Sequence, residues 1–161
     1  MGLSLSTRAV RPEDEALLAE IYGSTRPELA LLGWPGREAV EIVRMQLEAR
    51  ARHFAAEYPG AEDSVILLEG RPAGRLTVER TMQRVHVLDI ALLPAYQRAG
   101  AGTALVHRLA DEASSRGVPV TCHVAVGNPA LAFWERLGFV TAERSQTDCL
   151  LQLAPRPRGV A

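Results

Sequence analysis

The chain has 161 residues, a net charge of −1 and 47% hydrophobic residues. That length suits one domain, which can bury about two thirds of its unfolded surface without a disulfide or metal staple. Arginine supplies the basic side chains and lysine is absent; with no basic excess there is no general case for a nucleic-acid or membrane-surface partner.

Leu3 to Val10 alternates and reads as a first strand. Pro12, Glu13 and Asp14 open a helix, since proline fits a first turn and acids suit the N-terminal dipole. Its apolar face is Leu17, Leu18, Ile21 and Tyr22, and Gly23 to Pro27 ends it. Residues 27–36 form a junction carrying Leu29, Leu31, Leu32 and Trp34, read as a loop stapled to the core or a lid. A long helix runs from Arg37 to about Tyr58, with Val40, Val43, Leu47, Ala51 and Phe54 on one side; its His53 is read as solvated. Strands at 64–69 and 73–80, joined through Gly70-Arg71-Pro72, make a hairpin, and a third strand follows at 83–93. A helix at 103–116 presents Leu105, Leu109 and Ala113, with Val106 and Ala110 beside them, and Gly117 ends it. A strand at 119–126, a helix at 130–137 and a last strand pair at 139–144 and 148–153 complete the pattern.

This order predicts an α/β (α+β) fold. Its central sheet is mixed and mostly antiparallel, with about seven strands flanked by about four helices. Residues 1–154 are expected to form a single domain and 155–161 a flexible tail. The crossover through helix 103–116 predicts that strands 83–93 and 119–126 are parallel neighbours. Cys122 and Cys149 read as reduced, buried strand residues. The opening Met-Gly-Leu-Ser-Leu-Ser lacks a signal-peptide pattern and no window approaches the ~18 apolar residues of a membrane span, so a cytoplasmic location is expected.

Between the third hairpin strand and the helix lies Leu88-Asp-Ile-Ala-Leu-Leu-Pro-Ala-Tyr-Gln-Arg-Ala-Gly-Ala-Gly102. A strand that passes through glycines into a helix presents backbone N–H groups to a phosphate, because the first helical N–H groups lack internal partners. A Walker A loop is excluded by the absence of lysine, and a dinucleotide fingerprint by the missing third glycine.

The run Gln97-Arg98-Ala99-Gly100-Ala101-Gly102 resembles the acyl-CoA loop, Gln/Arg-x-x-Gly-x-Gly/Ala, of the GCN5-related N-acetyltransferase (GNAT) family. Asn128-Pro129-Ala130, followed by Phe133-Trp134-Glu135-Arg136-Leu137-Gly138-Phe139, resembles that family's second signature. The resemblance implies a stand-alone, bacterial-type N-acetyltransferase with a splayed fourth and fifth strand, acetyl-CoA as co-substrate and no metal. Backbone groups of Leu92 and Leu93 would pair with the pantetheine arm. The amides of Arg98, Ala99, Gly100, Ala101, Gly102 and Thr103 would hold the pyrophosphate. Asn128 would bond the pantetheine region and Phe133 would pack near the CoA tail. The Leu92 amide, or a neighbour's, would receive the oxyanion.

Attack requires a neutral amine, hence a base or a proton path to water. Asp89, an acid in an otherwise apolar strand, is the first candidate, and it could equally be a structural carboxylate bonded to backbone or an arginine. His123 is the second, His86 and Tyr96 weaker ones. If the strands splay, Asp89 and His123 could share a water. Trp134 stands where the family often has a proton-donating tyrosine, and indole is no acid at neutral pH. This departure motivates an alternative, a non-catalytic acyl-CoA-binding or sensing protein. The expected acceptor is a small-molecule amine or a peptide amine, and the expected assembly a monomer or homodimer.

Overall fold

A computed structural model describes residues 2–157. The elements are β1 (Leu5–Ala9), α1 (Glu15–Ser24), α2 (Arg37–Glu57), β2 (Ala61–Leu68), β3 (Arg71–Arg80), β4 (Val85–Leu92), α3 (Ala101–Arg116), β5 (Val120–Ala125), α4 (Ala130–Arg136), β6 (Val140–Arg144) and β7 (Asp148–Leu153), with short 3-10 turns at Pro12–Asp14, Pro27–Leu32 and Pro94–Tyr96. The seven strands form a mixed sheet in the order β1-β2-β3-β4-β5-β7-β6. β4 and β5 are parallel, as the crossover rule predicts.

The chain divides into two compact units. One comprises the stretch up to Thr77 plus Asp89–Gly102, the other Val78–Leu88 plus the chain from Thr103 onward. In the first, β1 and β2 pair antiparallel from Leu5↔Leu68 to Ala9↔Ser64. Its core holds Ile21, Leu29, Ala39, Val43, Val65 and Ile66. Of the expected α2 stripe, Val43 is buried, Val40, Leu47 and Phe54 are partly covered and Ala51 is exposed, while Ala39, which the stripe did not include, is buried. Asp14 is tied to Arg8 through two hydrogen bonds of 2.8 and 2.9 Å and accepts the Arg11 N–H. Those bonds, Arg8 first, hold its carboxyl far below the ordinary range.

In the second unit, β5 pairs antiparallel with β7 from Val120↔Leu153 to Ala125↔Asp148. The α3 face predicted from spacing is the buried one: Leu105, Val106, Leu109, Ala110 and Ala113. Cys122 and Cys149 are free and buried. The expected tail falls partly inside the described residues: the Arg156 N–H donates to Ser114 Oγ at 3.0 Å. Residues 158–161 lie outside them.

Several element boundaries differ from the reading above by one to three residues, and two of them have a clear local reason. The β2–β3 turn is Glu69-Gly70, with φ of 49° and 76°, the signature of a two-residue turn with both central residues left-handed. Arg71 and Pro72 therefore belong to β3 rather than the turn. α3 starts at Ala101, so Gly102 sits in its first turn rather than the loop. The junction at 27–36 is likewise ordered: its 3-10 turn starts on Pro27, buries Leu29 and ends at left-handed Gly33.

Candidate active site

β4 carries an irregularity that re-aims its backbone. The Val85 N–H donates to the Pro119 carbonyl beside β5 at 2.9 Å. In a regular strand, residues an even number of steps apart point to the same edge, so Leu93 should face that way too. Instead the Leu93 N–H donates to the Ala73 carbonyl of β3 at 2.8 Å. A one-residue bulge-type step between them accounts for the reversal. Gly74 presses there so closely that an added Cβ would stand 2.1 Å from the Ala91 carbonyl oxygen.

This step turns the Leu92 amide away from β3. The Leu92 carbonyl accepts the Gln97 side-chain amide at 2.8 Å, which pins the start of the loop to the strand. Leu93 is spent structurally: its N–H goes to Ala73 and its carbonyl accepts the Tyr96 N–H at 2.9 Å. Of the two residues expected to offer strand hydrogen bonds, only Leu92 keeps its amide turned outward. The register between β4 and β5 runs from Val85↔Val120 to Val87↔Cys122, while β4 continues to Leu92.

The loop then changes hand twice. Arg98 (φ 63°) and Gly100 (φ 82°) are left-handed, and Ala99 between them is not. Alternation of this kind gathers successive N–H groups into an anion-binding concavity. Gln97 to Gly100 are exposed, and Ala101, where α3 begins, is buried. The first-turn N–H groups of α3 add the positive end of a 16-residue helix. A Cβ on Gly100 would touch nothing within 4 Å, so its glycine answers to its own backbone and to whatever approaches it.

Asp89 is one end of a charged chain within its unit. Arg50 Nη2 of α2 donates to Asp89 Oδ2 at 3.0 Å and to Thr77 Oγ1 at 2.9 Å. Thr77 Oγ1 donates to Asp63 Oδ1 at 2.8 Å, and Arg75 clasps both Asp63 oxygens. Arg50 also lies 4.4 Å over the Phe54 ring, a favourable cation–π position. Burial and the nearby Arg75 charge pull the Arg50 guanidinium below its usual range against Asp89 and Asp63. Burial pushes Asp63 up, and Arg75 outweighs it, so the carboxyl ends below its ordinary value. Asp89 is thus ion-paired, the structural role weighed against catalysis in the sequence reading. Nothing local announces Arg50 as its partner, because the two lie 39 positions apart.

In the other unit, His86 is buried beside Thr121, with Nδ1 and Oγ1 2.6 Å apart. Burial, then the charges of Arg84 and His123, lower its pKa to about 4. His123 is exposed at 44% of its side chain, packs edge-on to His86 at 5.3 Å between ring centroids, and has Nδ1 3.6 Å from Asp148 Oδ1. Burial raises the Cys122 thiol to about 12, which removes it as a nucleophile. Asn128 is exposed, and its Oδ1 accepts the N–H of Ala130, the first residue of α4, at 2.9 Å. Trp134 is only 5% exposed and lies edge-on between Phe133 (5.2 Å) and Phe139 (5.0 Å). It is a core aromatic, and no proton donor replaces the expected tyrosine at this position.

The depressed His86 pKa makes stability pH-dependent. Unfolded, His86 titrates near 6.5; folded, near 4. The unfolded chain therefore takes up the proton first as pH falls. The neutral folded form keeps its full stability above pH 6.5, loses it progressively towards pH 4 and has lost it below. The full loss is about 3 kcal/mol for this group. Urea unfolding at pH 7.5 and 4.5 should show this decline in the wild type and a smaller one in His86→Gln.

A parallel β4–β5 step, with a turn of alternating hand and a helix N-terminus at the carboxyl end of β4, is a geometry that can receive a phosphate group. The chain belongs to the Acetyltransferase (GNAT) family, whose model matches residues 27–139, more than half its length. Membership of that family makes it an acetyl-CoA-dependent N-acetyltransferase by class. Solved structures share the fold. PaiA N-acetyltransferase from Thermoplasma acidophilum, in complex with coenzyme A, is 15% identical with a TM-score of 0.69, covering 94% of this chain and 99% of its own. The Escherichia coli N-acetyltransferase for an alanine of a ribosomal protein is 22% identical, TM-score 0.64, with 96% of each chain covered. Spermidine/spermine N-acetyltransferase from Vibrio cholerae, in complex with manganese ions, is 18% identical, TM-score 0.59, covering 94% of this chain and 92% of its own.

Proposed function

We propose that this enzyme transfers the acetyl group from acetyl-CoA to a primary amine of a small acceptor by direct attack, without an acyl-enzyme. The observation that carries this reading is the continuous backbone cradle from Leu92 to Thr103. It combines a strand amide turned outward, a loop of alternating hand and a helix N-terminus. Loop amides from Arg98 to Thr103 hold the pyrophosphate, and Gln97 fixes the loop to the strand. Leu93 anchors the strand end through its own hydrogen bonds. The roles of Asn128 and Phe133 as ligand contacts rest on their place in the second signature.

Direct attack accords with the cysteines: both are buried, and Cys122 is far from forming thiolate at neutral pH. The Leu92 N–H receives the oxyanion of the tetrahedral intermediate. Asp89, in the same unit as Leu92, is the first candidate for taking the amine's proton, and His123 is the second on the sequence argument alone. The thiolate then leaves and takes its proton from water, which a thiol pKa near 8.5 permits. General acid help is typically worth ~10²–10⁴-fold, so an enzyme whose Trp134 supplies none still turns over. We place it in the cytoplasm, a compartment that keeps thiols such as Cys122 and Cys149 reduced. No helix among the described residues is long and apolar enough to cross a membrane.

The test is a thiol-release screen with acetyl-CoA over amines, polyamines, amino acids and peptides, run beside Gly100→Val. Gly100→Val forces a branched side chain into a left-handed position at a cost of roughly 1–2 kcal/mol and crowds the cradle. It should raise KM for acetyl-CoA about tenfold with little change in kcat. Absence of thiol release with every amine would sink the proposed reaction. Asp89→Asn separately gauges the carboxylate: a fall in turnover of about 10²-fold is expected of a base, and a fall below threefold removes it from that role.

A further inference from the structure

The first unit contains a cleft of about 460 Å³ between α1 and α2, within the size range of small-molecule sites. Leu18 of α1 and Leu47 and Ala51 of α2 give it apolar walls. Leu47 and Ala51 lie one helical turn apart on the same face, and the cleft accounts for their incomplete cover. Arg11, Glu15, Arg44 and Glu48 bring two charges of each sign to the lining. Arg75 of β3 lines it too, with a side chain only 10% exposed. Its Nε donates to Asp63 Oδ1 at 2.8 Å and its Nη2 to Asp63 Oδ2. Nη1 has no hydrogen-bond partner among the described residues. Every side-chain nitrogen or oxygen sealed from solvent there does have one, so Nη1 is not sealed, and the cleft that Arg75 lines is its opening.

We propose that this cleft binds a small monocarboxylate with an apolar body, its carboxylate on Arg75 Nη1 and its hydrocarbon between Leu18 and Leu47. The guanidinium is pre-set for the task. Asp63 grips two of its nitrogens, and Asp63 is itself fixed by the Thr77 hydroxyl at 2.8 Å. One edge of the fork is left outward. A carboxylate there makes a charge-assisted hydrogen bond without competing with Asp63, in surroundings that screen it less than open water.

The charges select the class of ligand. Asp63 already neutralises Arg75, and Arg11 and Arg44 offset Glu15 and Glu48. Such a lining takes one negative charge on its open donor. The second charge of a phosphate would meet two glutamates with no surplus cation. Leu18, Leu47 and Ala51 reward a ligand with a hydrocarbon body, because covering them removes apolar surface from water. The cleft lies within one unit and shares no lining residue with the Leu92–Thr103 cradle, so this site stands independently of the acetyl-transfer reading.

The experiment titrates nitrogen-labelled protein with 4-methylpentanoate, 4-methylpentanamide and inorganic phosphate, and follows the backbone amides of Leu18, Leu47 and Ala51 by NMR. 4-Methylpentanoate should shift them saturably. The neutral amide should bind about tenfold more weakly, because it cannot make the charge-assisted bond. Ala51→Phe fills the cleft from an exposed helical position without touching the Arg75–Asp63 pair, and should weaken carboxylate binding about tenfold at unchanged Tm. Arg75→Lys keeps a cation beside Asp63 but removes Nη1, and should weaken binding to a similar degree. Should Arg75→Lys fail to fold, Ala51→Phe still decides. Absence of saturable shifts overturns the proposal, as does equal affinity for acid and amide, or unchanged binding in Ala51→Phe. Phosphate binding more tightly than the carboxylate overturns it as well. None of these readouts uses acetyl-CoA, so their outcome is separate from that of the thiol-release screen.

Discussion

Trp134→Ala should cost about 3–5 kcal/mol of unfolding free energy, the usual range for emptying a buried large aromatic site. The indole is only 5% exposed and meets Phe133 and Phe139 edge-on at 5.2 and 5.0 Å. Edge-on aromatic pairs add roughly 0.5–1.5 kcal/mol beyond their buried area. Two backbone bonds also converge here: the Trp134 carbonyl accepts the N–H of Leu137 at 3.0 Å and of Phe139 at 3.2 Å. Loss of the ring therefore loosens the end of α4 and the entry to β6 together. Urea unfolding checks the size.

The companion variant, Trp134→Tyr, separates packing from chemistry. Tyrosine matches the family signature at this position, yet its ring is smaller and its hydroxyl would enter an aromatic cluster. Leaving a hydroxyl unsatisfied there costs about 1–3 kcal/mol. The expected result is a less stable enzyme with no gain in thiol release per folded molecule. A clear rise in kcat would show that the position reaches the leaving thiolate and that the chemistry had been waiting for an acid.

Gly74→Ala should be at least as disruptive, with a loss of about 3 kcal/mol or more because the clash is against backbone. Its Cβ would stand 2.1 Å from the Ala91 carbonyl oxygen and 3.0 Å from Leu92 Cδ2. Neither strand can yield without moving the segment that turns the Leu92 amide outward. Surviving protein should therefore lose kcat as well as stability. Gly2→Ala, with nothing within 4 Å, is the matched control and should change neither. Near-wild-type stability and turnover in Gly74→Ala would mean that β3 and β4 tolerate a wider spacing than the structure shows.

Much of the site is written in adjacent residues. The glycines at 100 and 102, the preceding apolar strand and the helical spacing after them predict a strand, a turn and a helix N-terminus, and that is what forms. Such features depend on φ, on missing side chains and on hydrophobic period, all properties of a short stretch. The family signatures are legible for the same reason. The boundary errors are local too: which residue of Gly70-Arg71-Pro72 turns, and where α3 begins, were settled by backbone hand at Glu69 and Gly100.

What the sequence could not state is which distant groups meet. Asp89 reads as a lone acid in an apolar strand, and only the fold brings Arg50 from α2 onto its carboxylate. Gly74 reads as one more strand residue until Ala91 is found against it. Asp148 reads as the first residue of a terminal strand until antiparallel pairing sets it diagonal to His123. Trp134 matches a motif position that suggests chemistry, and burial between two phenylalanines makes it structural instead. Period and propensity determined the ladder and the cradle because both are paid for locally. Ion pairs, close backbone approaches and burial are pairwise terms between residues far apart in the chain, so their partners exist only once the sheet is assembled.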